Sequence, residues 1–161
     1  MTTSATPYDA FDALMVEIVE YASCSTKGVV NSADLRDQLV DSIGFQVGQK
    51  LIEKQTRLTP RFVSELDAVK YVCTEFWSSV FHKQVDTLKT NYQDMYVLFV
   101  ENFVLFERFS SGSQYLTEAL KYLAFPAGLL RGALSSLGLK CSVIANCEKL
   151  PSCKFTIKIL R

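Results

Sequence analysis

The sequence predicts an α+β fold: helices packed on one face of a four-stranded antiparallel twisted sheet, in the order α-α-α-β-β-α-β-β. Three observations carry this. Apolar residues recur at helical spacing through the first half of the chain and again over 114–137. Between and after these stretches the sequence turns β-rich, with strict alternation near the end. Helical and strand signals come in blocks, as expected of segregated layers and antiparallel pairs. A chain of 161 residues, 48% hydrophobic and 21% charged, can bury a core without staples, so residues 1–161 read as one domain, with 1–7 a polar tail.

Tyr8 to Ala22 reads as a helix with two apolar stripes. Tyr8, Phe11, Met15, Ile18 and Ala22 make one; Ala10, Leu14 and Tyr21 make the other. A surface helix needs a single stripe, so this one is expected to be shared between its own core and a partner. Ser25 to Val30 is a linker. Asn31 or Ser32 then caps a second helix, with Asp34 in its first turn and Leu35, Leu39 and Ile43 on one row. Gly44 and Gly48 interrupt that row, which implies close packing of another element or a kink. Leu51, Ile52 and Leu58 close the helix. Thr59-Pro60 reads as a restart, a capping hydroxyl followed by proline at the first helical position. Phe62, Leu66, Val69, Cys73, Phe76 and Val80 then form a core-facing stripe.

His82 to Asp94 is polar and reads as a connection. Met95 to Val100 and Phe103 to Phe109, separated by Glu101-Asn102, read as a hairpin. Ser110 to Ser113 is a loop that supplies the next cap. A long helix is expected from Gln114 to Leu137, kinked at Pro126 and stopped by Gly138. Lys140 to Cys147 and Cys153 to Leu160 are the last two strands, turned at Leu150-Pro151. Cys153, Phe155, Ile157 and Ile159 fall on one face, and Lys154, Thr156 and Lys158 on the other.

Several function classes are disfavoured. Seventeen basic and seventeen acidic residues give no global field to gather phosphate backbones, so nucleic acid is not expected as a partner. Zero net charge with eleven Phe and seven Tyr implies that another chain covers some apolar surface. The N-terminus lacks the charged and apolar regions of a secretory signal. The densest apolar stretch, Tyr122 to Leu139, is broken by Pro126 and Arg131, so no membrane span is expected. A cytosolic chain, or one on the cytosolic face of a membrane, follows. Its five cysteines are expected as free thiols rather than disulfides or zinc ligands. No catalytic constellation is visible. The only histidine, His82, lies nine residues from Cys73, roughly 13 Å along a helix. Gly44 to Gly48 lacks the G-K-[ST] ending of a phosphate loop. The chain is therefore read as having no enzymatic activity, metal or cofactor.

Three segments now carry a family resemblance. Gly44-Phe-Gln-Val-Gly-Gln-Lys-Leu-Ile-Glu53 resembles the G-[FY]-x-[VI]-G-x-[KR]-L-[IV]-E segment of the small subunits of the transport protein particle, TRAPP. Gly128-Leu-Leu-Arg-Gly-Ala-Leu134 resembles that family's G-[LVI]-[LI]-R-G-[AG]-L signature. Tyr115-Leu116 through Lys121-Tyr-Leu-Ala-Phe125, with Pro151-Ser-Cys-Lys-Phe155, resembles the subunit-six branch.

The resemblance implies a non-catalytic scaffold subunit of a vesicle-tethering assembly that exchanges guanine nucleotide on Rab GTPases. That assembly works on ER-derived and cis-Golgi membranes. It also implies pairing with the family's acylated member through the first two helices, which matches the double-striped opening helix. The expected contact residues are Tyr8, Phe11, Met15, Ile18, Leu35 and Leu39. Any Rab contact is expected only through the assembled complex. Where the acylated branch carries its modified cysteine, this chain has Thr59-Pro60-Arg61, so no acyl chain is expected at Thr59 and the tunnel should be filled. Arg131, between Gly128 and Gly132, is expected to be satisfied by nearby backbone or carboxylates rather than by a ligand. The alternative is an apolar small-molecule or haem sensor of related fold, in which His82 would be the haem histidine.

Overall fold

α1 (Pro7–Ser25) and α2 (Ser32–Thr56) form a helical pair joined by a short turn. The structure, a computed structural model, describes residues 7–91, 93–107, 109 and 112–161. Of the expected tail at 1–7, residues 1–6 lie outside that description and Pro7 is the first residue of α1; the loop residues Ser110 and Ser111 and the side chain of Tyr8 also lie outside it. Asn31 occupies the cap position of α2 in a left-handed conformation (φ 59°), but its side chain makes no capping bond.

The third helix starts later than expected. Residues 57–63 are irregular, and Ser64 rather than Thr59 caps α3 (Glu65–Tyr71). The Ser64 hydroxyl accepts the Asp67 N–H at 3.1 Å and donates to the Asp67 carboxylate at 2.8 Å. This reciprocal cap, reinforced by Glu65 and Asp67 in the first turn, outcompetes the Thr59-Pro60 start. A π-helical turn, Val72–Phe76, then widens the spiral before α4 (Trp77–Phe81). The extra residue rotates the buried face. Val69, Cys73 and Phe76 are buried as expected. Trp77 and Phe81 join them, while Leu66 stays 38% exposed.

The sheet runs β1 (Thr87–Thr90), β2 (Met95–Val100), β4 (Cys153–Ile159), β3 (Cys141–Asn146), all antiparallel. Among the described residues the strand count is as expected, but one expected strand is absent and another stands in its place. The polar stretch 82–94 contains the edge strand β1, whose single apolar residue, Leu88, faces inward opposite Leu98. Phe103 to Phe109 is not a strand. Val104–Phe106 is a 3-10 turn, and Phe103, Leu105 and Phe106 are all buried, a spacing that alternation cannot supply. Beside β2 the ladder position is taken by β4.

The long helix expected from 114 to 137 is also divided. A 3-10 turn (Ser113–Tyr115) leads into α5 (Leu116–Leu120), and α6 runs from Ala124 to Ser136. Between them the chain turns through i→i+3 bonds, Tyr122 N–H to the Ala119 carbonyl and Leu123 N–H to the Leu120 carbonyl. Pro126 therefore falls in the first turn of α6, where its missing N–H costs no helical bond. Gly138 ends α6 at φ 88°. Its N–H meets the Ser135 carbonyl and that of Leu139 meets the Leu134 carbonyl, the two bonds of a Schellman stop.

α6 packs on β3, α2 runs along α6, and α1 lies along α2. α4 reaches the sheet through Trp77, whose ring lies 5.3 Å from that of Phe155. Phe76, Trp77, Phe81, Phe103, Phe106 and Phe155 are each at most 2% exposed and fill the space between helices and sheet.

Candidate partner-binding surface and the helix crossing beneath it

α1 separates its two stripes. Met15 is 2% exposed and Ala22 fully buried, so the inner stripe belongs to the chain's own core. Phe11 is half-buried, its ring edge-on to Phe81 at 6.1 Å and to Phe125 at 6.4 Å. Ile18 and Leu39 are half-buried against the same core, whereas Leu35 is 37% exposed. Thus the six residues expected at a contact are not all on the surface. Met15 is inside, Phe11, Ile18 and Leu39 show one edge, and Leu35 alone stands free, with the side chain of Tyr8 outside the described residues. The second stripe is the outward one. Leu14 is 57% exposed and Tyr21 64%, and they share a face at i, i+7. At the end of the pair, Val29 and Val30 also face solvent, Val30 at 84%. Two stripes were legible in the sequence; which of them the core would take was not.

The platform under this surface is a glycine-lined crossing of α2 and α6. A Cβ on Gly44 or Gly48 would fall inside contact distance of the Phe125 and Leu129 carbonyl oxygens of α6. A Cβ on Gly128 or Gly132 would strike the Asp41 and Phe45 carbonyls of α2. The contact is reciprocal: each helix lays its backbone on the other's glycines. Beside it, Arg131 of α6 pairs with the Asp41 carboxylate, and its guanidinium carbon sits 4.4 Å from the Phe45 ring centroid. Arg131 is thus satisfied within the chain, by a carboxylate as expected and by an aromatic face that was not foreseen.

At Thr59 the surface opens into a groove of about 580 Å³ between the 57–64 loop and the end of α6. Phe62 and Ala68 line it, while Leu58 and Val63 beside it are almost fully exposed. The Thr59 backbone N–H donates to the Thr56 carbonyl at 3.1 Å, closing the turn that ends α2. The four buried thiols are unreactive by environment. Burial pushes Cys73 up to about 12 and Cys141 up to about 11, and it raises Cys147 and Cys153 as well. Cys24 is the exposed thiol. Among the described residues no group of His, Cys, Asp and Glu could hold a metal ion, and no helix is long and apolar enough to cross a membrane. His82 stands exposed in a left-handed conformation at the end of α4.

The family model of the transport protein particle (TRAPP) component matches residues 11–160. The chain belongs to the TRAPP family. Within it the relatives place the chain in the subunit-six branch. It is 46% identical over 149 residues to trafficking protein particle complex subunit 6b of Danio rerio, covering 92% of this chain and 94% of that protein. It is 51% identical over 120 residues to subunit 6B of Mus musculus (74% and 76% covered), and 50% identical over 121 residues to subunit 6A of Bos taurus (75% and 76%). The fold matches that of a trafficking protein particle complex subunit 3 from Naegleria fowleri crystallised covalently bound to palmitic acid. The TM-score is 0.71 at 11% identity, over 93% of this chain and 95% of that one. As a TRAPP component the chain works in vesicle trafficking and interacts with other TRAPP subunits. In this TRAPP chain the two sequence signatures, 44–53 and 128–134, are the two halves of one contact, the glycine crossing with Arg131 at its side.

Proposed function

We propose that this chain is a non-catalytic scaffold subunit of the TRAPP tethering and Rab nucleotide-exchange complex, acting in ER-to-Golgi and Golgi traffic by pairing with the acylated family member. The observation that carries the pairing is the outward apolar stripe of α1 and its continuation. Leu14, Tyr21, Val30 and Leu35 are exposed on a helical pair whose inner face is already filled. Burying side chains of this size contributes about 1.5–3 kcal/mol each when they go from fully exposed to covered. The exposed edges of Phe11, Ile18 and Leu39 border the contact, and Met15 supports it from beneath. The solved subunit 3 carries palmitic acid; in this chain the aromatic interior and the hydroxyl at Thr59 speak for a partner that accepts no acyl chain itself. The Rab is reached through the assembled complex, and membrane association on cis-Golgi and ER-derived membranes is peripheral and follows from assembly.

Size-exclusion chromatography with the purified acylated-type subunit tests the reading. The wild-type chain should form a one-to-one complex. Leu14→Asp with Tyr21→Asp should keep the far-UV circular dichroism of the wild type and abolish the complex. A double variant that still pairs at full stoichiometry would remove α1 from the contact.

A further inference from the structure

The face of the sheet turned away from the helices is a second surface, and its composition is specific. Strand register fixes its members. Thr87 and Lys89 of β1, Met95, Val97 and Phe99 of β2, Lys154, Thr156 and Lys158 of β4, and Ser142, Ile144 and Asn146 of β3 share this face. It holds three lysines and no carboxylate, in a chain whose charges balance. Met95, Val97 and Phe99 make an apolar ridge along β2, and the lysines border it on both sides. Lys89 lies opposite Val97 on β1, with its ammonium 5.3 Å from the Phe99 ring centroid. Lys158 and Lys154 lie opposite Met95 and Phe99 on β4. Two hollows of about 230 and 330 Å³ are both bordered by Phe99. Nearby carboxylates lie beyond the strand ends. Glu101 and Glu148 line the rims of those hollows, and Asp94 is engaged by Arg161.

We propose that this face docks an acidic amphipathic helix of another protein chain. The dimensions fit. From Met95 to Phe99 the ridge runs about 14 Å, enough for apolar residues over two turns of a helix. β1 and β4 lie about 10 Å apart across β2, so the lysines stand where carboxylates flanking the apolar stripe of a helix would fall. Helix on sheet is also how the chain covers the opposite face. A lipid surface fits less well. Met95, Val97 and Phe99 are half-buried between the lysine stems rather than projecting, so nothing on the ridge reaches acyl-chain depth.

Fluorescence anisotropy of the full-length chain with two synthetic labelled helices decides the matter. One carries a leucine stripe flanked by glutamates; the other has lysines in their place. The glutamate peptide should bind and the lysine peptide should not. Lys89→Glu with Lys154→Glu and Lys158→Glu should weaken binding by about tenfold or more. Phe99→Ala should weaken it without any change of charge. Lys50→Glu with Lys54→Glu, on the exposed side of α2, should leave it unchanged. Equal binding of the two peptides, or equal loss in the α2 variant, overturns the proposal. So does lysine-dependent cosedimentation with vesicles containing 30% phosphatidylserine by a chain that ignores the glutamate peptide.

Discussion

Replacing Gly132 by alanine tests the helix crossing at its tightest point. The added methyl would meet the Phe45 carbonyl oxygen, with the Phe45 carbonyl carbon at 2.8 Å and its Cα at 2.9 Å. All three atoms are backbone in the middle of α2, so no rotamer change relieves the clash. The helices must separate, by about 1 Å if the contact is to become ordinary. A gap of that size forfeits a quarter to a half of each dispersion contact it opens. The separation is not local, because Gly44, Gly48 and Gly128 hold the same crossing, and Val40, Ile52, Leu129 and Ala133 are fully buried around it. Overpacking of this kind costs about 1–3 kcal/mol at a single site. Alanine returns at most about 1 kcal/mol of helix propensity. Because the three atoms met are all backbone, the cost falls at the upper end of the overpacking range. After the helix-propensity return a net loss of about 2 kcal/mol is expected, read as a lower urea midpoint at unchanged m-value. Gly28→Ala is the control: φ is 84° there, nothing lies within 4 Å, and the cost should be conformational only, about 1 kcal/mol. A Gly132→Ala chain as stable as the wild type would refute the close-contact reading of both signatures.

Other outcomes follow from the same structure. Met15→Asp should unfold the chain, whereas Leu14→Asp should not, a contrast that circular dichroism of the two single variants separates. Asp41→Asn should cost about 1 kcal/mol, because the ion pair is one-third exposed; a double-mutant cycle with Arg131→Leu showing no coupling would remove that pair from the stability account. At pH 8 a disulfide reagent should titrate one thiol, Cys24, quickly and the other four only on unfolding. The buried thiols also set an alkaline limit. Their folded values are raised, so their contribution is complete below the unfolded value near 9 and is lost as pH climbs from there toward about 12 for Cys73. At pH 10, Cys73 and Cys153 together should lower stability by on the order of 3 kcal/mol, and alanine at both positions should flatten that decline.

The fold was legible where one signal dominated its window. The strict alternation of Cys153 to Ile159, the Gly138 stop and the close-packing glycines at 44 and 48 each had a single local cause. Misreadings arose where the deciding partner was remote. β1 carries one apolar residue because it is an edge strand with a wet outer face, and only its ladder to β2 defines it. Phe103 to Phe109 looks β-rich because its aromatics are bulky, yet they plug the core from a 3-10 turn. The π turn at Val72–Phe76 has no sequence signature in itself, and it is what carries Trp77 inside. In the site, the two stripes of α1 were visible from spacing, but their hydrophobicity is too similar to show which the core would claim. Phe81 and Phe125 settle that by packing edge-on against Phe11.

The glycine crossing gives the outer helices a stiffness that their own composition does not. α2 has a weak apolar face, because Gly44 and Gly48 stand where large side chains would anchor a surface helix. What replaces those anchors is backbone-to-backbone contact with α6, closed at the side by Asp41, Phe45 and Arg131. α6 in turn is buried nearly throughout and seated on β3. The stripe on Leu14 and Tyr21 is therefore displayed from a pair of helices tied through α6 to the sheet. A partner that covers it meets a surface already ordered, and association is spared much of the entropy that a loose helical hairpin would lose on binding. If that is so, Gly132→Ala should weaken pairing with the acylated-type subunit even under conditions where the variant is fully folded, although residue 132 lies in the crossing and not on the outward stripe. Unchanged affinity in a folded Gly132→Ala chain would confine the glycines to stability alone.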